Sequence, residues 1–235
     1  MIKVITSLTS IAPLGQIPRS HNVLEAGIII VRERLRLVLA GVVGPPLFVL
    51  AFTVLGQFTP GYSPASQVIS DLELVQNGWI QQLNFLQCGA SIVVFALGLR
   101  KEMLGAVRRL RLATTLLVFS GAGMIDASFF TPAFPIEHTL GFLFFIVPLI
   151  AAIFLLGRQF LVGGLRNLGA YSLSSGSVTL ILLLYFFFQG ASAPISTTPT
   201  GLIGVVNRLF VVAALSWLVV TGAALLKNPR SKASS

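Results

Sequence analysis

The residues of this chain best able to do chemistry are the few ionisable and amide side chains set among long apolar runs. Asp126 lies three residues before the end of the run 110–129, and Arg208 lies four residues after the start of the run 204–226. At 1.5 Å per residue both would sit roughly 5–6 Å below one membrane surface. A charge held in hydrocarbon is costly without a partner, so an Asp126–Arg208 ion pair is expected. His138 opens the run 138–156 with Glu137 before it, offering an acid–base group at the same level. Asn84 is about one and a half turns into the run 79–99, with Gln81 ahead of it, and Asn207 adjoins Arg208. Asp71 and Glu73 belong to the connection between the first two runs. Glu137 aside, these eight residues form the candidate set for an outward-facing polar pocket. Asp126 and Arg208 would frame it, and His138 and Asn84 would supply hydrogen bonds.

Positioning them requires elements that cross a bilayer. The 235 residues are 55% hydrophobic and only 10% charged, with a mean hydropathy of +0.91. Soluble domains carry roughly 25% charged residues, and a water-soluble fold of this length has no interior large enough for so much apolar surface. A hydrocarbon core of about 30 Å needs about 20 apolar residues in a helix. Six runs meet that length: 35–55, 79–99, 110–129, 138–156, 168–188 and 204–226. The turn residues Thr59-Pro60-Gly61, Asn77-Gly78, Pro132 with Pro135, and Pro194 with Pro199 separate them.

The sequence predicts an all-α membrane protein, a bundle of six transmembrane helices spanning 34–227. A leader, 1–33, would be cytoplasmic or interfacial, and a cytoplasmic tail would cover 228–235. Basic residues set the orientation. With the N-terminus inside, fifteen of the 16 Lys and Arg fall in cytoplasmic segments and only Arg208 lies on the outer side. Both termini are then cytoplasmic and the protein is expected in the cell membrane. In the first outer loop, Ser63-Pro64 reads as a helix start, and Val68, Leu72 and Val75 recur at helical spacing, with Ile69 beside them, up to Asn77-Gly78. A short amphipathic helix, lying on the surface or lidding the bundle, is expected there. Gly121 and Gly123 in the third run and Ser172, Ser175, Gly176 and Thr179 in the fifth are expected at close helix contacts.

Several chemistries are excluded. The net charge of +9 marks topology, because the basic residues stand in short clusters between apolar runs and do not line a soluble face; nucleic acid is not an expected partner. A haem relay across the membrane needs four histidines, and only His21 and His138 are present. A retinal Schiff base needs an intramembrane lysine, whereas Lys3, Lys101, Lys227 and Lys232 all fall in cytoplasmic segments. Cys88, the one cysteine, reads as a small buried hydrophobe. No metal site and no cofactor are expected.

Three stretches in order, GYSPASQVISDLELVQNGWIQQLNF (61–85), GMIDASFFTP (123–132) with His138, and GVVNRLF (204–210) with Trp217, resemble the prokaryotic membrane family catalogued as domain of unknown function 998. The resemblance covers about 35–226. It implies six helices and a shared set comprising Gly78, Trp79, Gln81, Asn84, Phe85, Asp126, His138 and Arg208. Gln82 and Asn207 depart from it, standing where the family pattern has a basic residue and an acidic residue or Gln respectively. No reaction comes with the family.

Three functions stay open on the sequence. In the first, the outward pocket binds a small molecule or a lipid headgroup. The second is a membrane enzyme acting on a lipid or isoprenoid, with His138 or Asp126 as its acid–base group. The third is a structural or partner-binding module without a substrate. Membrane lipids are the expected surroundings in all three, and a homo-oligomer is compatible with each.

Overall fold

The computed structural model describes residues 20–102, 108–192 and 201–227. Six helices follow in order: α1 (Ser20–Phe58), α2 (Gly78–Glu102), α3 (Arg108–Phe129), α4 (Pro135–Val162), α5 (Arg166–Ser192) and α6 (Ile203–Lys227). A 3-10 helix, Ile69–Glu73, lies between α1 and α2 and is called the roof helix below. Each of the six contains a segment long and apolar enough to cross a membrane, that of α1 being Leu37–Phe58. The six-helix bundle expected from the sequence is therefore present. Contacts divide the chain at Glu33–Arg34, and of the first unit only the helical part from Ser20 is described. Most of the expected leader, the tail 228–235 and the turn holding Pro194 and Pro199 lie outside the described residues.

Within 34–227 each helix packs against its neighbours in sequence, from α2 with α3 through α5 with α6. Glycines show how α1 closes the ring. Gly41 on α1 faces the Phe95 ring of α2, Gly98 on α2 faces Leu37, and Gly222 on α6 faces Val42. The centre is filled by aromatic side chains that reach across: Phe95 against Trp217 at 6.5 Å and Phe142 against Phe210 at 6.0 Å, both edge to face. Lipid supplies no hydrophobic drive between helices, so close backbone approach and buried hydrogen bonds must hold them. Gly89 and Gly121 bring α2 and α3 together, a Cβ on either glycine meeting the other's carbonyl oxygen at 2.6 Å. Gly123 lies against the α4 backbone at Phe144 and Phe145. Gly123→Ala drives a methyl into that backbone, and a loss of about 1–3 kcal/mol is expected. Its measure is a lower thermal unfolding midpoint in detergent.

The polar residues of α5 serve packing, the use that small polar residues commonly have in a membrane. Ser172 and Thr179 donate to carbonyls one turn back in their own helix, at 2.7 and 2.8 Å. Ser175 donates to the Ala213 carbonyl of α6 at 2.9 Å, and the Trp217 indole N–H donates to Ser172 Oγ at 2.8 Å. Cys88 is fully buried, as a small apolar residue would be.

The connection 59–77 departs from its expected form. The sequence pattern predicts an α-helix starting at Ser63-Pro64, but Ser63 to Gln67 form a turn in which the Ser66 and Gln67 N–H groups both donate to the Ser63 carbonyl. Helical geometry is confined to the five residues of the roof helix. The turn stays open because the carbonyls of Pro64 and Gln67, which a longer helix would use internally, are taken by Arg208. The side chains of Ile69, Leu72 and Glu73 turn inward and are buried.

Candidate functional site

Arg208 organises the roof. One guanidinium nitrogen, Nη1, donates to the carbonyls of Pro64 (2.7 Å), Gln67 (2.8 Å) and Gly204 (2.9 Å). The other, Nη2, donates to the Tyr62 hydroxyl. That hydroxyl donates onward to the Val68 carbonyl at 3.0 Å, and the guanidinium lies over the rings of Tyr62 and Phe52 at 5.6 and 5.9 Å. Gly204 admits this arrangement, since a Cβ there would collide with the Pro64 and Gln67 carbonyl oxygens. The Val205 N–H donates to the Ala65 carbonyl at 3.1 Å, and Asn207 Oδ1 accepts from the Ile69 N–H at 3.0 Å. The first turns of α6 thus strap the connection across the end of the bundle.

The expected Asp126–Arg208 ion pair is not formed among the described residues. Equal depth fixes a height along the bundle, not a position around it. Asp126 is on α3 and Arg208 on α6, two helices that share no substantial contact. Asp126 instead rests over Gly141 of α4, where an added Cβ would stand 2.7 Å from its Oδ2. It lines a groove between α3 and α4 on the perimeter of the ring.

Beneath the roof helix, inside the ring, is a cavity of about 40 Å³. Its polar lining is Ser70, His138 and Asn207, and Phe48, Phe85, Met124 and Phe142 are among its apolar walls. The His138 Nδ1–H donates to the Phe130 carbonyl at 2.7 Å. A carbonyl can only accept, so Nδ1 carries a proton and Nε2 is the nitrogen left to accept or donate. Glu73 Oε2 stands 3.8 Å from the same Nδ1, with its side chain fully buried. Neither Glu73 oxygen has a hydrogen-bond partner, and burial pushes its carboxyl up to about 8.

The remaining candidates support this arrangement. Asp71 accepts from the Val68 N–H at 3.0 Å and so fixes the start of the roof helix. Its carboxyl is raised by burial, against the opposing effect of that hydrogen bond. Asn84 donates to the Phe48 carbonyl at 3.0 Å and to Gln81 Oε1 at 3.3 Å, tying α2 to α1. Gln81 is fully buried and its Nε2 finds no partner. The structure therefore puts His138 and Asn207 on the cavity wall with Glu73 beside His138, places Asn84 and Gln81 between α1 and α2, and sets Asp126 on the perimeter. Tyr62 and Ser70 belong to the arrangement without having been singled out by sequence. A tyrosine in a loop beside a membrane ordinarily reads as an interfacial anchor, and nothing in the sequence marks its contact with Arg208. Among the described residues no three His, Cys, Asp or Glu side chains gather as metal ligands would.

A ring of six apolar helices closed at one end by a polar roof defines a multi-pass membrane protein. The chain belongs to the family described as "Protein of unknown function (DUF998)", whose sequence model matches residues 42–224. No curated protein and no solved structure matches it significantly.

Proposed function

We propose that this protein sits in the cell membrane with both termini cytoplasmic and the roof facing outward, and that the cavity beneath the roof binds the polar end of a small molecule or lipid. The excess of basic residues at the opposite end of the helices supports the orientation. A cysteine introduced at the exposed Ala65 reacts with a membrane-impermeant maleimide on intact cells in this orientation. Labelling only after the cells are broken would reverse it.

The observation that carries the binding reading is Glu73, a buried carboxyl without a hydrogen-bond partner, beside the cavity-lining His138. Leaving such a group unpaired costs about 1–3 kcal/mol or more, and a ligand that supplies a donor recovers that energy. A space of about 40 Å³ takes one small hydrogen-bonding group, so only the tip of a ligand is recognised there. Native mass spectrometry of protein extracted with its surrounding lipid tests this. A discrete bound mass is expected, and it is lost when Ala127→Phe fills the cavity that Ala127 lines. An adduct that persists in Ala127→Phe, or none in the wild type, would overturn the reading.

His138 beside a carboxyl also favours a second reading, acid–base chemistry on a lipid or isoprenoid. Its mark is a bound molecule recovered chemically altered by the wild type and unaltered by His138→Gln.

A further inference from the structure

The groove that holds Asp126 lies on the outside of the ring and shares no lining residue with the roofed cavity. Its volume is about 390 Å³, within the range of small-molecule sites. Phe119, Ala122, Gly123 and Asp126 follow at i, i+3, i+4 and i+7 and form one stripe of α3, with Phe130 just beyond its end. Glu137, Leu140 and Phe144 form the facing stripe of α4. Each stripe carries one carboxylate toward the roof end and phenylalanine further along. Exposed Ala122 forms the floor above the contact of Gly123 with α4, while Phe119 and Phe144, both more than half exposed, form walls that face lipid.

From Asp126 to Phe119 the apolar part of the groove runs about 10 Å along the helix. Among the described residues neither Asp126 nor Glu137 has an ion-pair partner, and no basic side chain lines the groove. An unpaired carboxylate within a membrane span marks a place where a cation belongs.

We propose that this groove seats a single-chain amphiphile with a primary-amine head and no phosphate. The ammonium group would lie between Asp126 and Glu137 and donate to both, and the chain would lie over Ala122 and Gly123 between the phenylalanines. A phosphate-bearing head does not fit, because its anion would stand beside two carboxylates with no basic residue to receive it.

The test uses the full chain in phosphatidylcholine nanodiscs with hexadecylamine carrying a mid-chain diazirine. Hexadecanoic acid, hexadecanol and phosphatidylethanolamine with the same photoreactive chain are the comparisons. On irradiation the amine labels the stretches 119–130 and 137–144 about tenfold more than the acid does, the ratio expected for about 1.4 kcal/mol of head-group preference. Asp126→Asn with Glu137→Gln brings the amine down to the level of the acid and leaves hexadecanol labelling unchanged, which also shows that the double variant is folded. Ala122→Phe blocks the floor and lowers labelling by every single-chain probe. Labelling that ignores the head group, an amine signal unchanged in the double variant, or phosphatidylethanolamine labelling as strongly as the amine would each overturn the proposal.

Discussion

Replacing Arg208 with alanine releases the connection 59–77 from the end of the bundle. The guanidinium holds three backbone carbonyls and the Tyr62 hydroxyl, and two of those carbonyls, of Pro64 and Gln67, belong to the connection itself. Removing it leaves those acceptors under the roof without their donor and removes the stacking on Tyr62 and Phe52. A loss of about 2–4 kcal/mol is expected, toward the upper end of what a charged hydrogen-bonding group contributes. Arg208→Lys restores only part of it, because an ammonium cannot present the planar fork that reaches carbonyls and hydroxyl together. Thermal unfolding in detergent measures the loss, and faster proteolysis within 59–77 locates it. Tyr62→Phe and Arg208→Ala cost less together than the sum of their separate costs, because they share one contact. Asp126→Ala and Arg208→Ala add to within about 0.5 kcal/mol, as separated sites do. Strong coupling between the latter two would mean that the α3 and α6 groups meet after all.

Glu73→Gln removes most of the pH dependence of stability between pH 4.5 and 8. In the folded protein the Glu73 carboxyl is raised from 4.5 to about 8 by burial. The folded state therefore holds a proton that the unfolded chain has already released within that window. Stability rises with pH only where the unfolded state binds more protons, so here it falls. The contribution is fully present below pH 4.5, declines by up to about 1.4 kcal/mol per pH unit, and is lost as pH passes 8. Asp71, raised by burial as well, acts in the same direction. The wild type should show its unfolding midpoint falling across this range by the equivalent of a few kcal/mol, whereas Glu73→Gln stays nearly level and is the more stable of the two above pH 8. A midpoint that rises with pH in the wild type, or an unchanged slope in the variant, would show that Glu73 ionises freely in the fold.

The six helices were legible in the sequence because bilayer thickness sets a minimum apolar length and the chain meets it six times. Gly121 and Gly123 could be assigned to close contacts, and Ser172, Ser175 and Thr179 to packing, because a helix in lipid has few other uses for small residues. The roof was legible only in outline. A helical period grouped Val68, Ile69, Leu72 and Val75, whereas three residues per turn in the 3-10 helix bury Ile69 and Leu72, leave Val68 and Val75 half-buried and carry Glu73 inside.

Partnerships were the part that sequence could not supply. Asp126 and Arg208 have opposite charges at one depth, and depth is what counting residues along a helix yields. Which helices stand side by side depends on how the ring closes, and α1 completes it between α2 and α6 through glycine contacts far apart in sequence. Arg208 then found its acceptors in backbone carbonyls, which every residue has and no side-chain pattern reveals. Along the chain, apolar length and charge placement determined what crosses the membrane and where. Around the ring, tertiary packing alone decided that Arg208 holds the roof, that Glu73 is buried beside His138, and that Asp126 turns toward lipid, because azimuth is a property of neighbouring helices and not of any one of them.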